Sequence, residues 1–189
     1  MTTKNNNGVF LKPKGNYRNL IVFQKTECIY DITYYFAHKY FAKGDRTIDQ
    51  MVQAARSGKQ NIAEGAATSV TSTETEIKLM NVARASLQEL LLDYEDYLRV
   101  NNLELWAYDT PKASQTRAAC TAHNDSAYYR EAIQERSAET IANIAITLIH
   151  QADVLLGRLL DRLQRDFVTG GGIREQMTRA RLDYRKNNS

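Results

Sequence analysis

The sequence predicts an all-α protein of four helices and a short tail, and three observations carry that prediction. The 189 residues include two prolines, Pro13 and Pro111, both outside the long periodic segments. Those segments are rich in Ala, Leu, Glu, Gln and Arg, which favour helix. Apolar residues recur along them at three- and four-residue steps, the spacing of one helical face. The third observation is Gln53-Ala54-Ala55-Arg56-Ser57-Gly58-Lys59-Gln60-Asn61-Ile62-Ala63-Glu64-Gly65, a row of small residues beside Asn61 and Glu64. Small residues let helix backbones approach closely, and polar groups trapped at such a contact must be hydrogen-bonded. A chain of this length can bury a sizeable core and is expected to form one domain.

The first helix is expected from Tyr17 or Phe23 to Ala42, with Ile29, Ile32, Phe36 and Tyr40 on one face. Lys43-Gly44-Asp45 is a tight turn, with Gly44 available as a C-cap. The second helix covers residues 46–64, with Ile48, Met51, Val52, Ala55 and Ile62 inward and Gly65 able to end it. Thr73-x-x-Glu76 reads as a capping box opening the third helix, which continues through Met80, Leu87, Leu90, Tyr94 and Leu98 to Asn101-Asn102. Residues 102–126 break the periodicity. They predict a connection packed down by Trp106, with room for a short helix around residues 115–121.

The fourth helix is expected from Ser126 or Ala127 to Val168. Ile141, Ala145, Leu148, Ala152, Leu155 and Leu159 step by four and three, the spacing of a bundle seam. A second row about 100° away carries Ala142, Ile146, Ile149, Leu156, Leu160, Leu163 and Phe167. One seam fits inside a bundle, so the second row is expected to meet a partner subunit. Asp153 interrupts this row, either as a buried polar group that fixes register or as a residue facing solvent at the groove edge. Gly170-Gly171-Gly172 ends the helix, and Ile173, Met177 and Ala180 mark an amphipathic tail helix on a glycine hinge.

The net charge of +3 conceals an asymmetry. Residues 1–25 carry five bases and no acid, and residues 170–189 carry five bases against two acids, so the stretch between them is net −5. The expected organisation is a basic N-terminal arm (1–15), a helical body (16–169) and a basic tail (170–189). Basic ends on an acidic body suit a polyanion, and equally suit contacts between subunits. No apolar run reaches the ~18 residues of a membrane span, and residues 1–8 lack the apolar stretch of a secretory signal. Cys28 and Cys120 stand alone without CxxC spacing, so no disulfide framework is expected and a reduced, cytoplasmic setting is.

Motifs for chemistry are not evident. His38, His123 and His150 each lack a Glu three residues earlier, so the Glu-x-x-His pairs of a di-metal bundle do not occur. Gly58-Lys59 lacks the earlier glycine of a phosphate-binding loop, and there is no Gly-x-Ser-x-Gly. No catalytic, metal or cofactor site is expected, and the chain is read as no enzyme. Tyr30, Tyr34, Tyr35 and Tyr40, with Tyr94 and Tyr97, could stack on single-stranded bases or sit at the core edge with hydroxyls toward water.

Three segments carry a resemblance. Asn16-Tyr17-Arg18-Asn19-Leu20-Ile21-Val22-Phe23-Gln24-Lys25, the Asn61-Ile62-Ala63-Glu64-Gly65 stretch with Ala54 and Ala55, and Arg84-Ala85-Ser86-Leu87-Gln88-Glu89-Leu90 resemble a bacterial four-helix-bundle family. Its members include proteins encoded in intervening sequences of large-subunit ribosomal RNA genes, often labelled "S23 ribosomal protein". The long 102–126 connection and the Gly-Gly-Gly tail look like its suffix-domain branch. The resemblance covers residues 16–100. It implies an antiparallel up-down-up-down bundle assembled into a ring-shaped homo-oligomer, commonly a pentamer. A related bundle, the accessory protein of diversity-generating retroelements, binds nucleic acid and a reverse transcriptase through a basic surface.

The functional expectation is a homo-oligomeric scaffold that binds RNA or DNA through Lys12, Lys14, Arg18 and Lys25 and through Arg174, Arg179, Arg181 and Arg185. The alternative is a protein–protein adaptor whose tail docks on an acidic surface such as Glu89, Asp93, Glu95 and Asp96. Asn61, Glu64, Arg84 and Glu89 are expected as structural polar residues, with Arg84 or Arg56 pairing Glu64 and Asn61 holding a backbone group where the second and third helices meet.

Overall fold

The computed structural model describes residues 16–187, which are helical with no strand among them. A 3-10 turn at Tyr17–Asn19 leads into α1 (Ile21–Tyr40), α2 (Arg46–Thr68), α3 (Thr73–Val100), α4 (Pro111–Ala122), α5 (Ser126–Ala132), α6 (Ala138–Gly170) and α7 (Ile173–Asn187). Each of the four longest helices has two long neighbours: α1 and α3 both pack on α2 and on α6. The short α4 lies on α6, and α5 lies on α1. The basic arm, with Lys12 and Lys14, lies outside the described residues.

The small-residue row of α2 does what its composition implies. Gly58 and Gly65, seven residues apart and so on one face, are both buried toward α3. A methyl group on Gly58 would sit 2.9 Å from Leu87 Cδ2, and one on Gly65 would sit 2.9 Å from Met80 Cε. Gly65 therefore does not end the helix. It is a point of close approach, and α2 runs on to Thr68.

The start of α3 also differs from expectation. Ser72, not Thr73, is the N-cap: its hydroxyl accepts from Thr75 N at 3.1 Å. Glu76 is buried. Gly44 takes the positive φ of the α1–α2 turn, while Asp45 caps α2 by accepting from Thr47 N at 2.9 Å.

The expected fourth helix is two. The chain leaves the helix after Ala132 and restarts at Ala138, capped by Ser137, whose hydroxyl accepts from Thr140 N. Along α6, Ile141, Ala145, Leu148 and Ala152 are fully buried, and Leu156, Leu160 and Leu163 then take over, leaving Leu155 and Leu159 half-buried. A straight helix drifts relative to a seven-residue repeat, and the consecutive four-residue steps from Leu148 to Ala152 to Leu156 to Leu160 absorb that drift.

The second row thus corrects the interface expectation. Ile146, Ile149, Leu156, Leu160 and Leu163 are covered by the chain's own helices; of the candidates, Phe167 alone is exposed, at 37%. The stretch Ala138–Asn187 does hold a window long and apolar enough to cross a membrane by length and composition, against the expectation that none exists. More than half of that window is buried inside the fold, at 56%.

Asp153 takes neither of its two expected states alone. It sits at the groove edge in an ion pair with Arg84, accepting from Nε at 2.7 Å and Nη2 at 3.1 Å, with Gln88 Nε2 at 3.2 Å. The bond from Arg84 holds the Asp153 carboxyl below its ordinary range. This fork ties α3 to α6, so Arg84 is not the partner of Glu64. Glu64 and Glu89 are exposed, so the trapped-polar expectation for Glu64 fails. Asn61 is half-buried and donates to Ser57 O at 2.9 Å on its own helix, while Ser57 Oγ meets Ser86 Oγ of α3 at 2.9 Å.

Candidate functional site

Residues 102–126 build the feature with most chemical content. Pro111 is the first residue of α4 and Thr110 its N-cap, the hydroxyl accepting from Ala113 N. A proline at the first helical position starts a helix, because its missing N–H would have no partner there. The segment before α4 is clamped to α6. Asn143 Oδ1 accepts from Trp106 N at 2.9 Å and Nδ2 donates to Glu104 O at 2.9 Å. Glu139 accepts from Trp106 Nε1 at 3.1 Å and Glu104 N at 3.2 Å. The Trp106 bond leads in holding the Glu139 carboxyl below its usual range.

The far end of α4 is fixed by two polar groups. Lys25 of α1 is buried and its Nζ donates to Cys120 O at 2.7 Å. That carbonyl is in the last turn of α4, where a cation complements the helix dipole and an unfilled acceptor. Burial pushes the Lys25 amine down from its ordinary value, with the neighbouring Cys120 and Cys28 opposing. Gln151 of α6 donates from Nε2 to Arg117 O and to Thr121 Oγ1, both at 3.1 Å.

These anchors leave a cavity of about 740 Å³ between α4, α6 and the start of α1. Its wall is largely apolar, with Ile21, Trp106, Ile146 and Val154 among the lining residues, and Lys25, Arg117 and Arg158 as cations against Glu95. Asn124 and Gln151 are also among the lining residues, and Asn124 Oδ1 and Gln151 Oε1 are buried behind the wall without a hydrogen-bond partner. Among the described residues no group of His, Cys, Asp and Glu is placed to hold a metal.

The structure separates the expected nucleic-acid residues. Arg18 is exposed in the 3-10 turn, and Arg174, Arg179, Arg181 and Arg185 are exposed on α7. Lys25 is withdrawn from that set: a buried amine that caps α4 cannot neutralise a phosphate. The tyrosines divide likewise. Tyr94 is fully buried and donates to Thr33 Oγ1 at 3.0 Å, while Tyr34 is 51% exposed beside His38.

Both thiols are buried. Burial pushes the Cys28 thiol up to about 12 and raises that of Cys120. Since the thiolate is the reactive form, neither cysteine should react with Ellman's reagent at pH 8 in the folded protein, and both should react in denaturant. Fast labelling of the native chain would contradict the burial described.

No protein-family model, curated protein or solved structure matches this chain.

Proposed function

We propose that the chain is a non-enzymatic, homo-oligomeric helical scaffold that binds nucleic acid through its C-terminal helix. The observation that carries this reading is α7 itself. It buries none of its residues in the body, and it carries five cations against Glu175 and Asp183. Arg174, Arg181 and Arg185, at i, i+7 and i+11, fall within about 20° of one line on the helix surface. Glu175 is turned to its own helix start, accepting from Gly172 N at 3.0 Å. Gly171 breaks the chain from α6 with a φ of +72°, a conformation glycine adopts without strain.

The body is read as an up-down-up-down four-helix bundle of α1, α2, α3 and α6. In support, Ile21 at the start of α1 shares a cavity with Arg158 late in α6, while Tyr40 at the end of α1 donates to Arg136 O just before α6. The two helices therefore run in opposite directions. The same arrangement supports basic ends on one end of the bundle. Arg18 precedes α1 there, and Arg174 is near enough to α3 to help the dominant Lys78 bond hold the Glu74 carboxyl low.

Binding of single-stranded RNA and duplex DNA should weaken steeply with salt, each phosphate contact contributing about 0.9 to the log–log slope on duplex DNA. Replacing Arg174, Arg181 and Arg185 together with Ala is expected to reduce that slope by roughly 3 on this basis. Absent binding, or a slope unchanged by the triple substitution, removes nucleic acid from the reading.

A second reading, a protein adaptor, is favoured by the exposed apolar residues Met177 and Tyr184, which share the α7 face with Ile173 and Ala180. With the second row of α6 buried, this face replaces it as the proposed contact in a ring, a pentamer by the resemblance. Removing residues 171–189 should then lower the oligomer mass seen by light scattering, and an unchanged mass counts against this role for α7.

A further inference from the structure

We infer that the cavity between α4 and α6 is a binding site for a small aromatic anion bearing an N–H or O–H donor. Its volume of about 740 Å³ lies within the ~300–1,000 Å³ range of small-molecule sites, and a mostly apolar wall with a few convergent polar groups is their usual chemistry. Apolar surface remains open at the cavity: Ile21 is 51%, Leu105 49% and Val154 52% exposed. A bound ring system would cover them, with Trp106 as the aromatic wall.

The polar groups specify the rest of the ligand. Gln151 cannot be flipped to satisfy Oε1, because its Nε2 donates to the Arg117 carbonyl, which can only accept. Its Oε1 is therefore a fixed acceptor, buried and unpartnered, and Asn124 Oδ1 is likewise buried without a partner. A buried acceptor without a partner is costly, and a ligand donor that reaches it through a small turn of the lining side chain removes that cost. Arg117 and Arg158 outnumber Glu95 in the wall, so the favoured ligand is negative. Arg158 makes no ion pair among the described residues, and is exposed at the rim to receive that charge. No residue of α7 lines the cavity, so this site is separate from the proposed nucleic-acid surface.

The probe is 1-anilinonaphthalene-8-sulfonate, which joins a fused aromatic body to a secondary amine N–H and a sulfonate. Trp106 is the single tryptophan and stands in the wall, so energy transfer from it reports a dye bound nearby, and its loss in the mouth-filling variant assigns that dye to this cavity. The full-length chain is expected to bind one dye per protomer saturably, with transfer from Trp106. Val154→Phe, which fills the mouth, and Arg158→Glu, which reverses the rim charge, should each weaken binding at least fivefold. Both positions are exposed, so both variants should keep the wild-type melting temperature. N-phenyl-1-naphthylamine, the same body and amine without the sulfonate, should bind with an affinity that Arg158→Glu leaves unchanged. Non-saturable binding, no transfer from Trp106, or unaltered dye affinity in either variant overturns the inference. Displacement of the dye by a single-stranded oligonucleotide also overturns it, by assigning the cavity to nucleic acid; failure of α7 to bind nucleic acid leaves it untouched.

Discussion

Phe36→Ala is expected to be the most destabilising single substitution considered for this protein, at about 3–5 kcal/mol. Phe36 is fully buried on α1. Its ring centroid lies 4.7 Å from Tyr97, 5.0 Å from Tyr94, 5.1 Å from Tyr40 and 6.2 Å from Phe41. Edge and tilted aromatic contacts add to the area term, and the loss of the ring leaves a cavity that three tyrosines cannot close without moving. Tyr94 is the least free to move, since it is fully buried and its hydroxyl donates to Thr33. For a chain of this size each kcal/mol shifts the midpoint by about 2–4 °C, so the melting temperature should fall by roughly 10 °C. Leu92→Ala is the control: Leu92 is 61% exposed, and its loss should change stability by no more than about 0.5 kcal/mol. Equal effects from the two variants would mean that the aromatic cluster does not anchor the core.

Periodicity and composition made the long helices legible because those signals repeat over many turns. α1, α2 and α3 fall within a few residues of their expected spans, and the close α2–α3 contact is visible in Gly58 and Gly65 alone. Single-residue signals were less secure. Gly65 reads as a helix stop until the partner helix is present, because tight packing and termination favour the same residue. Ser72 and Thr73 are both competent caps, and their order is decided by backbone geometry that a sequence does not display. The break at 133–137 lies between two helical patterns, and the Ser137 cap was its one local mark.

The cavity was less legible than the fold, for a physical reason. Its polar groups come from α1, α3, residues 117–124 and α6, and none forms a local motif. Lys25 reads as one cation of the basic stretch 1–25 because burial is not written in charge. Its partner, Cys120 O, is a backbone atom 95 residues away. The short helix expected around residues 115–121 is α4, which begins earlier because Thr110 caps it and Pro111 suits the first helical position. The unpaired second row of α6 was a sound signal with the wrong occupant. The cover is the chain's own helices, with α1 and α3 packed on α6 and α4 added beside them.

Asn143→Ala is expected to cost about 2–4 kcal/mol and to open this region while leaving the long helices in place. Asn143 is 3% exposed and makes three bonds. Two reach the 104–106 segment, at Trp106 N and Glu104 O, and the third runs to Glu139 O on its own helix. A fully buried backbone group left without a partner costs about 1–3 kcal/mol, and the two part-buried groups here, Trp106 N and Glu104 O, lose part of that each. The result should be local before it is global, because α1, α2, α3 and α6 meet through apolar faces that Asn143 does not join. Amide exchange should therefore accelerate over residues 103–122, Trp106 emission should shift to the red, and the cavity should lose its aromatic wall together with any dye bound there. Far-ultraviolet ellipticity should change little. Unaltered Trp106 emission in Asn143→Ala would show that the Glu139 bonds hold the segment without Asn143, and would move the anchor of the site from α6 residue 143 to residue 139.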